Sequence, residues 1–231
     1  MMIPTCYMCD KPATSREHAP PRCLFPKRKH SLNGKDLRVN MIVVPACDEH
    51  NGDKSADDEY LMQILPMSIG LNDVANHYFQ SKVGQVIASN NRLVGSLTEG
   101  AVPVTVHDIE TDQWAHAVAF KVDMNRLLSV LSMNARAIYF HHHGAKLVAK
   151  MSSVTNFSLL EGSVELNDMV SQAMQMADDM LNEINASRHG SNPDVFFYRI
   201  AREGNVELIE FTFYGTSKVL FTLIHDVEES M

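Results

Sequence analysis

The chain has 231 residues, 45% of them hydrophobic and 21% charged, enough to bury a sizeable core and too many apolar residues for a disordered chain or a single short repeat. No window approaches the ~18 consecutive apolar residues of a membrane span, and residues 1–9 lack the basic-then-apolar pattern of a signal peptide, so a cytoplasmic protein with no membrane partner is expected. The net charge of −8 excludes a uniformly basic surface, but it is unevenly spread: residues 1–55 sum to +3 and the remainder to −11, the distribution of a nucleic-acid module joined to an acidic body.

In chain order, residues 1–30 hold Pro4, Pro12, Pro20, Pro21 and Pro26, which forbid a long helix and predict turns around a short extended piece. Met41, Ile42, Val43 and Val44 form an apolar, β-branched run before Pro45 and predict a buried strand over 41–44. From Asp48 acids come first, then Ala56, Tyr60, Leu61, Ile64 and Leu65 recur at helical spacing until Pro66. A second helix is predicted over 71–88, two strands over 102–106 and 115–122, and a long helix over 124–143 that His141, His142, His143 and Gly144 should end. Consecutive histidines on a helix diverge by ~100°, so these three read as exposed rather than as ligands of one ion. A third helix over 164–184 contains Met169, Met174, Met176 and Met180, read as core filler. Runs over 195–200, 206–214 and 218–223, with turns at Gly204 and Gly215, predict antiparallel strands. The fold class is therefore α+β, with an N-terminal module over 1–66 and a mixed helix and antiparallel-strand domain over 67–231 that recognises substrate or a partner, or dimerises.

All four cysteines lie in the first 47 residues. Cys6 and Cys9 form a C-x2-C pair, and Cys47 and His50 repeat that spacing after 37 intervening residues. Two such pairs close a tetrahedral Zn2+ site, because a turn or a helix start aims positions i and i+3 at one point. Cys23 is the alternate fourth ligand should His50 not serve. Between the pairs lies Ser15-Arg16-Glu17-His18-Ala19-Pro20-Pro21, and after the second comes Asn51-Gly52-Asp53-Lys54-Ser55. On a helix, Asn51, Lys54, Ser55 and Asp58 share a face, with Asp58 read as a solvated acid. An acid and an amide oxygen suit Mg2+, a neighbouring imidazole suits proton abstraction from water, and a lysine suits a phosphate.

These elements resemble the HNH endonuclease family: C-x2-C, acid-His-x-x-Pro, Asn40 before an apolar strand, then C-x2-[CH]-N-x2-K-S. The resemblance covers residues 6 to about 60 and implies a ββα-metal finger with a structural zinc. It makes His18 the general base, Glu17 and Asn51 the ligands of a catalytic Mg2+ or Mn2+, Asn40 the residue that fixes the loop and orients the base, and Lys54 the neutraliser of a phosphate oxygen. Two departures stand out: Asn51 replaces the final family histidine, and His50 stands where a fourth cysteine is more usual. Lys27, Arg28, Lys29 and His30 either track a DNA backbone or form a solvated basic loop. The implied activity is DNA endonuclease, in a family that often serves bacterial or phage DNA defence and restriction, acting alone, as a homodimer or with a partner protein. The alternative is a non-catalytic zinc-finger nucleic-acid-binding or adaptor protein. A zinc nucleobase deaminase is excluded, since it needs H-x-E and P-C-x-x-C, whereas here Glu17 precedes His18 and Ala46 separates Pro45 from Cys47.

Overall fold

The computed structural model describes residues 4–52, 55–68, 70–108, 112–157 and 163–226. It is α+β with antiparallel sheets throughout. The chain starts with two four-residue strands, β1 (Ser15–His18) and β2 (Val43–Ala46), paired with Ser15 opposite Ala46 and His18 opposite Val43. A single helical turn α1 (Asp48–Asn51) and helix α2 (Ser55–Ile64) follow. β2 begins two residues later than its apolar run predicts and includes Pro45. The pair tolerates this because the Pro45 carbonyl turns away from β1 to accept from Tyr7 N at 2.9 Å, so the missing N–H falls on the side where β1 needs no donor.

The predicted helix over 71–88 forms as α3 (Asp73–Tyr78), a π-helical turn over Phe79–Val83 and α4 (Gly84–Ala88), with Asn72 Oδ1 accepting from Ala75 N at 3.1 Å to cap its start. Helix α5 (Asn91–Thr98) follows, capped in the same way by Asn90. Strands β3 (Val102–Asp108) and β4 (Gln113–Ala119) pair with each other, and most of the predicted turn between them lies outside the described residues. Helix α6 (Met124–His143) starts at an Asp123 cap and ends at Gly144, whose φ of 69° is the left-handed conformation that glycine adopts at no steric cost.

Strand β5 (Lys150–Thr155), helix α7 (Val164–Glu183) and strands β6 (His189–Asn192), β7 (Phe196–Glu203), β8 (Val206–Phe213) and β9 (Ser217–Ile224) complete the chain, the five strands forming one sheet in the order β5-β9-β8-β7-β6. The two edge strands escape the sequence pattern: Lys-Met-Ser-Ser-Val-Thr and His-Gly-Ser-Asn carry too little apolar side chain to announce themselves. Ile209, Phe211, Phe213, Val219 and Phe221 are wholly buried on one face of the sheet, in a cluster of buried residues that also contains Leu131 and Ile138 of α6, Leu61 of α2 and Cys6. The opposite face carries Leu220 under Met174 and Ala177 of α7.

Each face also buries an acid with its counter-charges. Glu210 accepts from Arg199 Nε at 3.0 Å and Nη2 at 2.7 Å, and Arg199 and Lys218 both bond Asp178 of α7. On the other face His143 Nε2 donates to Glu207 Oε1 at 2.7 Å and His225 Nε2 to Glu207 Oε2 at 2.8 Å. The histidines that end α6 are exposed, as expected, yet two of them have partners: His143 bonds Glu207, and His142 Nδ1 lies 3.2 Å from Tyr198 Oη. The reading of the α7 methionines needs correction. Met174 is buried, but Met169, Met176 and Met180 are exposed, because the sheet covers only one stripe of the helix.

The N-terminal part is pinned to the rest by bonds spanning long stretches of chain. Tyr214 Oη donates to the Leu24 carbonyl at 2.6 Å, Asn192 Nδ2 to the Val39 carbonyl at 2.9 Å, Asp123 N to Tyr60 Oη at 2.8 Å and Arg126 Nε to Asp57 at 2.6 Å.

Candidate metal centre and adjoining cleft

Cys6 and Cys9 sit on a tight knuckle closed by Cys6 N donating to the Lys11 carbonyl at 2.9 Å, while Cys47 and His50 open α1. The knuckle docks on β2 through Tyr7 N, so the two pairs face each other. The three sulfurs and the His50 nitrogen all lie within 4.8 Å of one another, the one such His/Cys/Asp/Glu group among the described residues. Cys9 and Cys47 Sγ are 3.8 Å apart, too far for a disulfide, and His50 Nδ1 lies 3.4 Å from Cys6 Sγ and 3.3 Å from Cys47 Sγ. A tetrahedron with Zn–S near 2.3 Å and Zn–N near 2.05 Å has edges of about 3.8 and about 3.6 Å, so this Cys3His cluster fits a zinc ion. The donor chemistry fits as well. Burial opposes ionisation of the Cys6 thiol, but the amides of Met8, Cys47 and Cys9 outweigh it and bring the group down to about 6. At Cys9 the Lys11 amide favours the thiolate, whereas desolvation and the sulfurs of Cys47 and Cys6 hold the thiol above its usual range, a repulsion that a cation at the centre removes. Cys23 is not in the cluster; its Sγ donates to the Asp58 carbonyl at 3.3 Å, which closes the alternative of a Cys23 ligand.

Beside the cluster lies a cleft of about 410 Å³. Glu17 and His18 reach it from β1, Asn51 from α1, Ser55 and Asp58 from α2, and Arg22 from the loop after β1. Glu17 is buried at 3% exposure. Asn51 Nδ2 donates to Ser15 Oγ at 2.9 Å and approaches the Arg16 carbonyl at 3.5 Å, which fixes the amide against β1 through its nitrogen. His18 is half-buried, and desolvation together with Arg22 and Arg38 holds its imidazole below the usual histidine value, so the ring is neutral near pH 7.

The structure thus brings three of the predicted residues, Glu17, His18 and Asn51, into one cleft. Asn40 stands apart: it is exposed, makes its turn with φ of 49°, and does not line the cleft. Lys54 lies outside the described residues. Asp58 is half-buried in the cleft wall rather than solvated, because α2 presents this face to β1 and the loop after it. Sequence reading also missed Arg22, an isolated charge between two prolines and a cysteine, and Lys82, which reaches the cleft from the π-helical turn far along the chain.

Comparison with family models, with curated proteins and with solved structures gives no match for this chain. Fold and site define an α+β protein whose N-terminal part holds a Cys3His cluster able to bind zinc. Among the described residues, no helix is long and apolar enough to cross a membrane.

Proposed function

We propose that the protein is a metal-dependent DNA endonuclease of the HNH type. The observation that carries the reading is the meeting of Glu17, His18 and Asn51 in one cleft directly beside the Cys3His cluster. His18, neutral by virtue of its desolvation and cationic neighbours, takes a proton from a water molecule. The resulting hydroxide attacks phosphorus in line and leaves 5′-phosphate and 3′-hydroxyl ends. Glu17 and Asn51 would be the hard oxygen donors that hold a divalent cation, Mg2+ or Mn2+, which would supply charge stabilisation to the phosphate as it reacts. Zinc at the Cys3His cluster holds the frame and takes no part in the chemistry. One cleft cuts one strand, so double-strand cleavage requires two copies of the chain.

The test is incubation of the purified protein with supercoiled, linear and single-stranded DNA, with and without Mg2+ or Mn2+. His18→Ala should lower the cleavage rate by ~10²–10⁴ while leaving folding and DNA binding nearly intact. Glu17→Ala should raise the metal concentration needed for half-maximal cleavage. Full activity of the His18 variant rejects the mechanism. The second reading, a non-catalytic zinc-finger adaptor, draws on one observation: among the described residues no side chain hydrogen-bonds the His18 imidazole, and Asn40 is not placed to orient it.

A further inference from the structure

Besides the acids Glu17, Asp58 and Glu59, the cleft is lined by two cations, Arg22 and Lys82, that come from both sides of the 66/67 boundary. Lys82 projects from the π-helical turn Phe79–Val83, a backbone form that single turns adopt most often at functional sites, and lines the cleft together with Arg22 and His18. Two bonds fix this turn against the N-terminal loops: Tyr78 Oη donates to the Cys23 carbonyl at 2.8 Å, and Ser81 Oγ to the His30 carbonyl at 3.3 Å. The Lys82 ammonium lies 5.9 Å from the Tyr78 ring centroid, so its stem is packed while its head faces the cleft. Arg38 is held behind it by Nε donating to the Phe25 carbonyl at 2.8 Å.

Among the described residues, none of Arg22, Lys27, Arg38 and Lys82 is ion-paired to a carboxylate within 4.0 Å, although Glu59 is near enough to Lys82 to favour its charge. They repel one another instead. Burial, then Arg38 and Lys27, hold the Lys82 ammonium below the usual lysine range, and burial opposes the charge of Arg38, with Arg22 adding to the effect. Lysine and arginine heads that line a cleft on pinned loops, with no carboxylate in salt-bridge contact, present N–H donors to an entering anion.

We infer that Arg22 and Lys82 form a seat for a backbone phosphate of DNA, so that a lysine from outside the finger completes the substrate site. The identity of the anion rests on the nuclease reading; the seat itself rests on these cations. It also gives the basic loop a place: Lys27 and Lys29 lie close enough to Lys82 and His30 to extend the same positive surface, rather than being isolated in solvent.

The experiment is fluorescence anisotropy of a short labelled DNA duplex with the full chain, without added divalent ion, over a range of salt concentrations. Removing one cation that neutralises a phosphate should flatten the slope of log K against log salt by about 0.9. Lys82→Gln and Arg22→Gln should each do so, their combination by about twice as much, while Lys82→Arg keeps the wild-type slope and Lys150→Gln, on exposed β5, changes nothing. An unchanged slope in both glutamine variants, or no duplex binding at any salt, overturns the seat. Cleavage with Mg2+ or Mn2+ is scored separately. Binding with the expected slopes but no cleavage retains the seat and rejects the nuclease, whereas cleavage with unaltered slopes retains the nuclease and rejects the seat.

Discussion

The N-terminal region and the five-stranded sheet reach defined structure by opposite means. The sheet is held by area: Phe196, Phe211, Phe213 and Phe221 are buried together, with the Phe211 and Phe221 ring centroids 5.0 Å apart and the Phe196 and Phe213 centroids likewise at 5.0 Å. The N-terminal region consists of two four-residue strands, 3-10 turns and loops; it sends Tyr7, Leu24, Phe25, Leu37 and Val44 into the same core, but its geometry is also fixed at points: the four side chains of the Cys3His cluster and single hydrogen bonds to backbone carbonyls. Area tolerates small errors of position, whereas points set position. A cleft that brings an imidazole, a carboxylate and an amide together belongs in the second kind of structure.

The sharpest way to break this contrast is to remove the metal. Structural zinc contributes on the order of 10 kcal/mol of apparent binding free energy in small fingers, nearly all of it folding free energy. Chelation or Cys47→Ser should therefore release zinc and accelerate hydrogen exchange at β1 and β2 while amides of β7 and β8 stay protected. Unchanged zinc content and exchange in Cys47→Ser would show that the cluster is not a metal centre; Cys23→Ser should alter neither. The complementary cut is Phe211→Ala, which should cost ~3–5 kcal/mol in denaturant unfolding and leave one zinc per folded chain. Loss of zinc stoichiometry without loss of stability would reverse the assignment of roles.

The smallest effect is a pH dependence confined to the α7 side of the sheet. Burial opposes ionisation of Asp178, but Lys218 and Arg199 overcome it and hold the carboxyl below its usual range. Its contribution is complete above the unfolded value of roughly 3.9 and is lost as pH falls through the lower folded value. Asp178→Asn should therefore lower Tm near neutrality, where the contribution is complete, and flatten its fall in this acid window. An equally steep fall in the variant would locate the acid sensitivity elsewhere.

What was legible in the sequence follows the same division. Cys6, Cys9, Cys47 and His50 could be read because a metal demands fixed spacing within each pair. Helices α6 and α7 could be read because their burial is periodic and Gly144 marks a stop. β1 was expected only as a short extended piece within residues 1–30, and its bounds were hidden because Ser-Arg-Glu-His has no apolar residue and is a strand through its pairing with β2. Lys82 was hidden for a different reason: its neighbours at the cleft lie some sixty residues earlier, and no local pattern encodes that meeting. The exposed Met169, Met176 and Met180 could not be told from core methionines, because periodicity gives the apolar arc of a helix but not how much of it a sheet covers.

The bond from Tyr214 Oη to the Leu24 carbonyl joins residues 190 positions apart. The four side chains of the Cys3His cluster all lie within residues 6–50, so the knuckle closes over a short separation. The loop that carries Arg22 gains its buried anchor only when the turn between β8 and β9 has been made, and β5 must wait for β9, its only partner in the sheet. Loop closure over such separations is slow, and domains are completed as units. The Cys3His cluster is thus local in sequence, whereas the loop that lines the cleft beside it is anchored by distant chain.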